Sequence, residues 1–166
     1  MSAKAKPIPE GFHSITPYLT VTDAARAIDF YKRAFGASER YRMEGPGGKI
    51  VHAEIKIGDS IVMLGDESIA AGNRSPQSLG GTTNGLFIYV EDVDSAFNRA
   101  AAAGAKVDMP VADMFWGDRY GKLTDPFGQS WSLATHIEDV GPEEMTRRGK
   151  EAMAKMGGQQ ARKQVG

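Results

Sequence analysis

The amino-acid sequence predicts an α+β protein made of two βαβββ modules and a C-terminal helix. The first observation is an internal repeat, because residues 16–23 (TPYLTVTD) and 85–92 (GLFIYVED) show the same strand-like pattern. An amphipathic helical pattern follows each stretch, and a glycine (Gly36 or Gly104) separates that pattern from further strands. The second observation is the polar, glycine-rich segment between the two halves. A repeat of this size indicates two similar modules of one architecture.

Composition narrows the classes of function. The chain has 166 residues, 41% hydrophobic and 25% charged, as is usual for one globular unit. A net charge of −1 gives no support for a nucleic-acid or membrane-surface partner. The lack of cysteine excludes disulfides, a thiolate nucleophile and a cysteine-based zinc site. No apolar run is long enough to span a membrane and residues 1–6 lack a signal-peptide core, so we expect a cytoplasmic protein.

We divide the chain into five parts by these patterns. They are an N-terminal arm (1–12), a first βαβββ module (13–65), a connector (66–83), a second βαβββ module (84–137), and a C-terminal helix and tail (138–166).

The first module begins with a strand over 15–21. Thr22 or Asp23 caps the helix that follows, and Gly36 ends it in the position that favours a left-handed residue. The apolar stripe of this helix consists of Ala27, Ile28, Tyr31, Ala34 and Phe35. Turn residues then divide three strands, over 38–44, 50–57 and 60–64.

The second module repeats this order. A strand over 85–90 precedes a helix that Asp92 caps and Gly104 ends. Strands follow over 106–112, 119–124 and 129–135, and residues 125–128 (DPFG) form a turn before the last of them. Pro142 suits the first turn of a final helix. We expect this helix to end at the two glycines 157–158, and we expect the tail after them to be frayed.

Strand alternation separates an apolar face from a mixed face in each module. The apolar set includes Ile15, Leu19, Val21, Val51, Ala53, Ile55, Ile57, Leu86, Ile88, Val90, Trp131 and Leu133. The mixed set includes Thr16, Tyr18, His52, Glu54, Phe87, Tyr89 and Ser132. If the sheets curl, the mixed faces line a pocket for a small molecule. The alternative is that water covers part of these faces.

His52 is the foremost catalytic candidate, because imidazole exchanges protons near neutral pH and Glu54 is close in the same strand. A structural histidine is the competing interpretation. Phe115, Trp116 and Tyr120 form either an aromatic wall for a flat ligand or a cover for the open mouth of the barrel or for the dimer seam. We also expect Asp118 and Arg119 to pair with each other, and we expect His136 to close a sheet end.

Four segments resemble one known family. They are residues 23–36 (DAARAIDFYKRAFG), 51–59 (VHAEIKIGD), 115–119 (FWGDR) and 125–136 (DPFGQSWSLATH). Together they resemble the vicinal oxygen chelate superfamily of glyoxalase I, bleomycin-resistance proteins and extradiol dioxygenases, and most closely its PhnB-like subgroup. The resemblance covers about residues 14–136. It implies a U-shaped, partly open barrel and a homodimer.

The resemblance also allows the family's metal site to be tested. Its four ligand positions fall on Thr16, Met63, Gly85 and Ser132. None of these residue types is a good ligand for a divalent cation, so we expect no metal and no other cofactor.

The sequence therefore predicts a protein that binds a small organic molecule in the barrel cavity, with no nucleic-acid or membrane partner. The predicted binding residues are Thr16, Tyr18, Glu54, Met63, Tyr89, Trp116 and Ser132, and His52 is the predicted catalytic residue. Whether the protein is an enzyme is left open. The alternative is a divalent-metal-dependent lyase or dioxygenase of the same superfamily.

Overall fold

The computed structural model describes residues 5–163 and the side chains of residues 5–156. Its helices and strands follow the predicted order. They are β1 (Tyr18–Val21), α1 (Ala24–Phe35), β2 (Ser38–Glu44), β3 (Ile50–Ile57), β4 (Ser60–Asp66), α2 (Pro76–Leu79), β5 (Gly85–Tyr89), α3 (Val93–Ala103), β6 (Lys106–Asp113), β7 (Asp118–Thr124), β8 (Ser130–His136) and α4 (Pro142–Lys163).

The strands form two mixed sheets of four, with the orders β1-β4-β3-β2 and β5-β8-β7-β6. In each sheet the first strand of the module runs parallel to the last, and the other neighbours are antiparallel. The two sheets thus repeat one topology, which confirms the predicted α+β fold of two βαβββ modules. They do not close on each other within the described residues, in agreement with a partly open barrel.

The two module helices, α1 and α3, begin at the predicted caps. The side chain of Asp23 accepts a hydrogen bond from the Arg26 N–H at 3.1 Å, and Asp92 does the same for the Ser95 N–H at 3.0 Å. These bonds satisfy backbone donors that a helix leaves free at its first turn. Gly36 ends α1 with φ 67°, a conformation that costs a glycine little.

The last strand of each module also fixes the start of its helix. In the first module the Asp66 carboxylate accepts hydrogen bonds from the N–H groups of Ala24 (2.9 Å) and Ile50 (2.7 Å). In the second module the Thr135 hydroxyl accepts one from the Val93 N–H at 2.9 Å. In both modules the last strand is therefore hydrogen-bonded to the start of the helix, through a carboxylate in the first module and through a hydroxyl group in the second.

The two modules share one hydrophobic core. The rings of Tyr31 and Phe35 in α1 lie 5.3 and 4.6 Å, centroid to centroid, from the ring of Trp131 in β8. The buried Asp125 carboxylate accepts hydrogen bonds from Tyr31 Oη at 2.7 Å and from Trp131 Nε1 at 2.9 Å. Burial raises the pKa of Asp125. The DPFG turn therefore joins the first module to the second.

Two predicted core positions are wrong. Ile15 is 87% exposed, because β1 begins only at Tyr18. Pro17 precedes it and cannot donate a hydrogen bond to a neighbouring strand. In β3, Val51 is 51% exposed while Ile50 is buried. The pairing of β2 with β3 shifts register at the end of β2, and this irregularity exchanges the faces of the first two residues of β3.

Two other segments differ from the prediction. The connector contains a single 3₁₀ turn (Ile69–Ala71) and the short helix α2, neither of which was predicted. α4 continues to Lys163 through the two glycines where we expected its end. Glycine weakens a helix but keeps its backbone hydrogen bonds, and the next residues, 159–163 (QQARK), favour a helix. Residues 164–166 of the predicted frayed tail lie outside the described residues. No helix in residues 5–163 has both the length and the hydrophobicity to cross a membrane.

Candidate functional site

The first sheet places four of the predicted site residues on one side, which we call the first face. Tyr18 in β1 and Glu54 in β3 both lie opposite Met63 in β4, and His52 is two residues from Glu54. Alternation along a strand puts His52 and Glu54 on the same side. The strand registers agree with the prediction that Tyr18, His52 and Glu54 share a face, and they add Met63, whose side alternation alone did not decide.

His52 lies among aromatic and charged groups. Its ring centroid is 5.8 Å from that of Tyr18 and 6.2 Å from that of Tyr41. Its Nε2 is 3.6 Å from Glu54 Oε1, and Arg40 Nη1 is 3.6 Å from the other oxygen of Glu54. These distances exceed a hydrogen bond, so Glu54 interacts with His52 mainly through charge when the imidazole is protonated. Glu54 is shared between an arginine and the histidine.

The second sheet carries a row of aromatic rings on its mixed side, which we call the second face. The ring centroid of Phe87 lies 4.9 Å from that of Tyr89 and 5.7 Å from that of Tyr120. The Trp116 ring is 5.6 Å from Tyr120, and Phe115 lies 5.1 Å from Trp116. We call these five rings the aromatic wall. Phe87 and Tyr89 are 48% and 63% exposed, whereas the other three rings are half-buried, so the wall is open to solvent at its Phe87–Tyr89 end.

A buried carboxylate holds this wall in place. Asp118 is 3% exposed, and its Oδ2 accepts hydrogen bonds from Tyr89 Oη and Trp116 Nε1, each at 3.0 Å. Its Oδ1 lies 2.8 Å from His136 Nδ1, and His136 Nε2 lies 2.9 Å from Asp139 Oδ1. The sequence alone did not indicate this cluster. One feature of the sequence could have indicated it: Asp118 and Tyr120 are two residues apart, so strand alternation puts them on the same side of β7.

The predicted ion pair between Asp118 and Arg119 is wrong. Consecutive residues of a strand point to opposite sides of the sheet, so the two side chains diverge. The Arg119 guanidinium instead donates two hydrogen bonds to Asp94 in α3, at 2.6 and 2.7 Å, and a third to Asp113 at 2.8 Å. The arginine thereby fastens β7 to the helix on the far side of the sheet.

The ionisation of the cluster follows from these contacts. Burial alone would raise the pKa of Asp118, but hydrogen bonds from His136, Tyr89 and Trp116 hold it below the ordinary value. The hydrogen bond to Asp118 raises the pKa of Tyr89. The bonds to Asp118 and then Asp139 raise the pKa of His136. Asp118 is therefore ionised at neutral pH and acts as a fixed acceptor.

The predicted site residues do not line a single cavity. Tyr18 borders a cavity of about 840 Å³ between β1, the connector and β5. Ser132 borders one of about 590 Å³ beneath the connector. Thr16 and Tyr89 border a third, of about 620 Å³, at the turn between β3 and β4. The first two cavities share the segment 80–85, so they lie on either side of it.

The four positions where the resemblance predicts the metal ligands of the family carry no suitable ligand groups. The Thr16 hydroxyl donates to the His13 carbonyl at 3.4 Å, and Ser132 Oγ lies 2.9 Å from Tyr120 Oη. Met63 offers only a thioether, and Gly85 has no side chain. Within the described residues, no three histidine, cysteine or acidic side chains are grouped so as to hold a metal ion. The donor set does not fit the divalent cation that the fold family implies.

Comparisons with known proteins agree with this fold. The model of the Glyoxalase/Bleomycin resistance protein/Dioxygenase superfamily matches residues 11–133. The uncharacterized protein Rv0887c of Mycobacterium tuberculosis is 45% identical over 135 residues, which cover 80% of this chain and 79% of that protein. The crystal structure of TioX from Micromonospora sp. ML1 is similar, with 31% identity and a TM-score of 0.60 over 75% of this chain and 99% of that one.

A PhnB protein from Bacillus cereus shares the fold at 21% identity, with a TM-score of 0.58 over 74% of this chain and 99% of that one. The family resemblance seen in the sequence is thus confirmed. The chain belongs to the Glyoxalase/Bleomycin resistance protein/Dioxygenase superfamily.

Proposed function

We propose that the protein binds a small organic molecule with a flat apolar part, and that it does so without a metal ion at the family's ligand positions. One observation carries the proposal: the aromatic wall has an exposed end, formed by Phe87 and Tyr89, and the buried Asp118 carboxylate holds Tyr89 and Trp116 in place. Exposed rings that are fixed in advance lose little conformational freedom when a ligand stacks on them. The two cavities that rings of the wall border, of about 590 and 620 Å³, have the size of small-molecule sites.

Both faces contribute to the proposed binding. Tyr89 and Trp116 provide rings, and Ser132 provides a hydroxyl group on the second face. On the first face, Tyr18, Glu54 and Met63 form one continuous row, which offers a polar and polarisable surface. Thr16 contributes at the rim of the cavity that it shares with Tyr89.

The intrinsic fluorescence of the protein offers a direct test. Of its two tryptophans, Trp131 is buried in the core and Trp116 belongs to the wall. Aromatic compounds that stack on the wall should quench Trp116, and the Trp116→Phe variant should lose that quenching while keeping its fold. Calorimetry on the same compounds measures affinity. Failure of a broad aromatic panel to bind, or equal quenching in the variant, would contradict the proposal.

A metal-dependent lyase or dioxygenase is the second candidate, and it rests on family membership. Its chemistry needs a cation held by side chains such as His, Glu or Gln, which are absent at the four expected positions. Elemental analysis of protein purified without chelator separates the candidates. We expect far less than one Zn, Ni, Mn or Fe per chain, and a stoichiometric amount would favour the metal enzyme.

If the protein acts on its ligand, we propose His52 as the proton-transferring group. The imidazole lies beside Tyr18 and within 3.6 Å of the Glu54 carboxylate on the same face. Mass spectrometry of an identified ligand after incubation with wild type and His52→Gln tests this role. Conversion at equal rates would exclude it, whereas lack of conversion by wild type would indicate a binding protein.

We further propose that the protein is a homodimer in the cytoplasm. The edge strand β2 leaves the large side chains of Tyr41 (50%) and Met43 (43%) exposed in the single chain, and a second copy would cover them. Light scattering should then give about twice the chain mass of 17.9 kDa. A monomer at micromolar concentration would contradict this, and cell fractionation tests the location.

A further inference from the structure

We propose that Lys122 and the hydroxyl groups beside it form a subsite for an oxyanion, so that the ligand of the second face is a planar aromatic compound with a carboxylate or phosphate group. The inference rests on the proposed function, because it names the class of ligand that the same face takes. Two observations carry it: the charge of the cavity next to the aromatic wall, and the position of that cavity relative to the rings.

The sheet places the cation and the hydroxyls side by side. Lys122 in β7 lies opposite Ser132 in β8, and Ser132 lies opposite Phe87 in β5. Ser132 Oγ is 2.9 Å from Tyr120 Oη, and Tyr120 is two residues from Lys122 on the same side of β7. An ammonium group, two hydroxyl groups and an aromatic ring thus occupy adjoining positions on the second face.

The cavity of about 590 Å³ beneath the connector opens onto these groups. Its walls are formed by Tyr120, Lys122, Thr124, Ser130 and Ser132 from the sheet, together with Gly128 and the connector residues Pro76, Gln77 and 80–85. Among these described residues Lys122 alone is charged, and the others offer hydroxyl, amide and backbone groups. The wall of this cavity is therefore positive and rich in hydrogen-bond donors.

Lys122 also differs from the neighbouring lysine of the same sheet. Lys106 Nζ lies 3.9 Å from Asp108, whereas in the part of the chain that the structure describes no carboxylate oxygen comes within 4.0 Å of Lys122. Asp108 further accepts a hydrogen bond from Thr124, and Asp118 is engaged by its own three donors. Lys122 thus has no carboxylate partner within 4.0 Å among the described residues, so an anionic ligand group would gain its charge–charge attraction and hydrogen bonds from the hydroxyls of Ser132 and Tyr120.

Tyr120 belongs both to the aromatic wall and to the lining of the cavity that holds the proposed subsite. The Tyr120 ring lies 5.7 Å from Phe87 and 5.6 Å from Trp116, while its hydroxyl reaches Ser132 in the cavity wall. Lys122 is two residues from Tyr120 on the same side of β7, so a ring stacked on Tyr120 can carry an anionic substituent towards it. A cationic substituent would meet the lysine unfavourably.

Naphthoate, naphthyl phosphate and the uncharged naphthamide test the subsite, with calorimetry and Trp116 quenching as readouts. In wild type, at least one anion should bind about two- to fivefold more tightly than the amide, the range expected of an exposed ion pair. Added salt should reduce this preference. Comparison of the carboxylate with the phosphate shows which group the subsite takes.

Three variants complete the experiment. Lys122→Met keeps the aliphatic stem and should lower the affinity for the anions to that for the amide, whose binding should not change. Lys122→Arg should keep the preference, and so should Lys106→Met, the control on the neighbouring strand. Equal binding of anions and amide to wild type, or a preference that survives Lys122→Met, would overturn the subsite alone. If none of the probes binds, the proposed function fails together with it.

Discussion

Removal of the Asp118 carboxylate tests whether it organises the aromatic wall. In Asp118→Ala, the hydrogen-bond donors of Tyr89, Trp116 and His136 lose one shared acceptor. A net contribution of ~0.5–1.5 kcal/mol per bond gives ~1.5–4.5 kcal/mol for three bonds. Tyr89 is exposed enough to bond to water instead, so we expect the lower half, ~1.5–3 kcal/mol. For a chain of this length that loss corresponds to a Tm lower by ~3–12 °C.

Thermal and urea unfolding at neutral pH measure this loss, and the emission of Trp116 reports on the wall itself. The matched control is Asp139→Ala, because Asp139 bonds to the other nitrogen of His136 but is fully exposed. It should unfold close to wild type, and Asp118→Asn should lie between the two alanine variants. If Asp118→Ala is no less stable than Asp139→Ala and leaves the emission of Trp116 unchanged, the carboxylate does not organise the wall.

Three further predictions follow from packing and ionisation. Folding raises the pKa of His136, so protonated His136 stabilises the fold below its ordinary pKa of 6.5, and this stabilisation is lost as pH rises through the folded-state pKa. The free energies of unfolding of wild type and His136→Gln in urea should therefore differ more near pH 6 than near pH 9. Gly121→Ala should lower the free energy of unfolding by ~1–3 kcal/mol in the same assay, because the new Cβ would lie 2.5 Å from the Phe97 ring. The matched variant Gly149→Ala in α4 has space for the added methyl group, and it should slow hydrogen exchange of that helix. Tyr31→Phe removes a buried hydrogen bond to a carboxylate and should cost ~1–3 kcal/mol in calorimetric unfolding, and an unchanged Tm would contradict the role of this bond in joining the modules.

Local chemistry made much of the fold predictable. Asp23 and Gly36 delimit α1 as expected, because a cap and a left-handed glycine act within a few residues of the chain. β2 and β3 also have the predicted bounds. The exchange of Ile50 and Val51 between faces was not predictable, because it depends on a register shift against another strand.

The candidate site was predictable only where alternation decides it. Alternation placed His52, Glu54, Tyr89 and Ser132 on the mixed faces, which the strand registers confirm. The role of Asp118 was missed, because its partners come from β5, from the loop before β7 and from β8, and no spacing along the chain brings them together. The binding and catalytic roles of all the predicted residues remain predictions.

The shared core has a consequence for how the chain folds. Tyr31 and Phe35 belong to the first half of the repeat, yet they pack against Trp131 in the second half. A fragment cut in the connector would therefore present these rings to water and would aggregate or stay unfolded. The duplicated halves are no longer autonomous, and the intact chain should melt in a single cooperative transition.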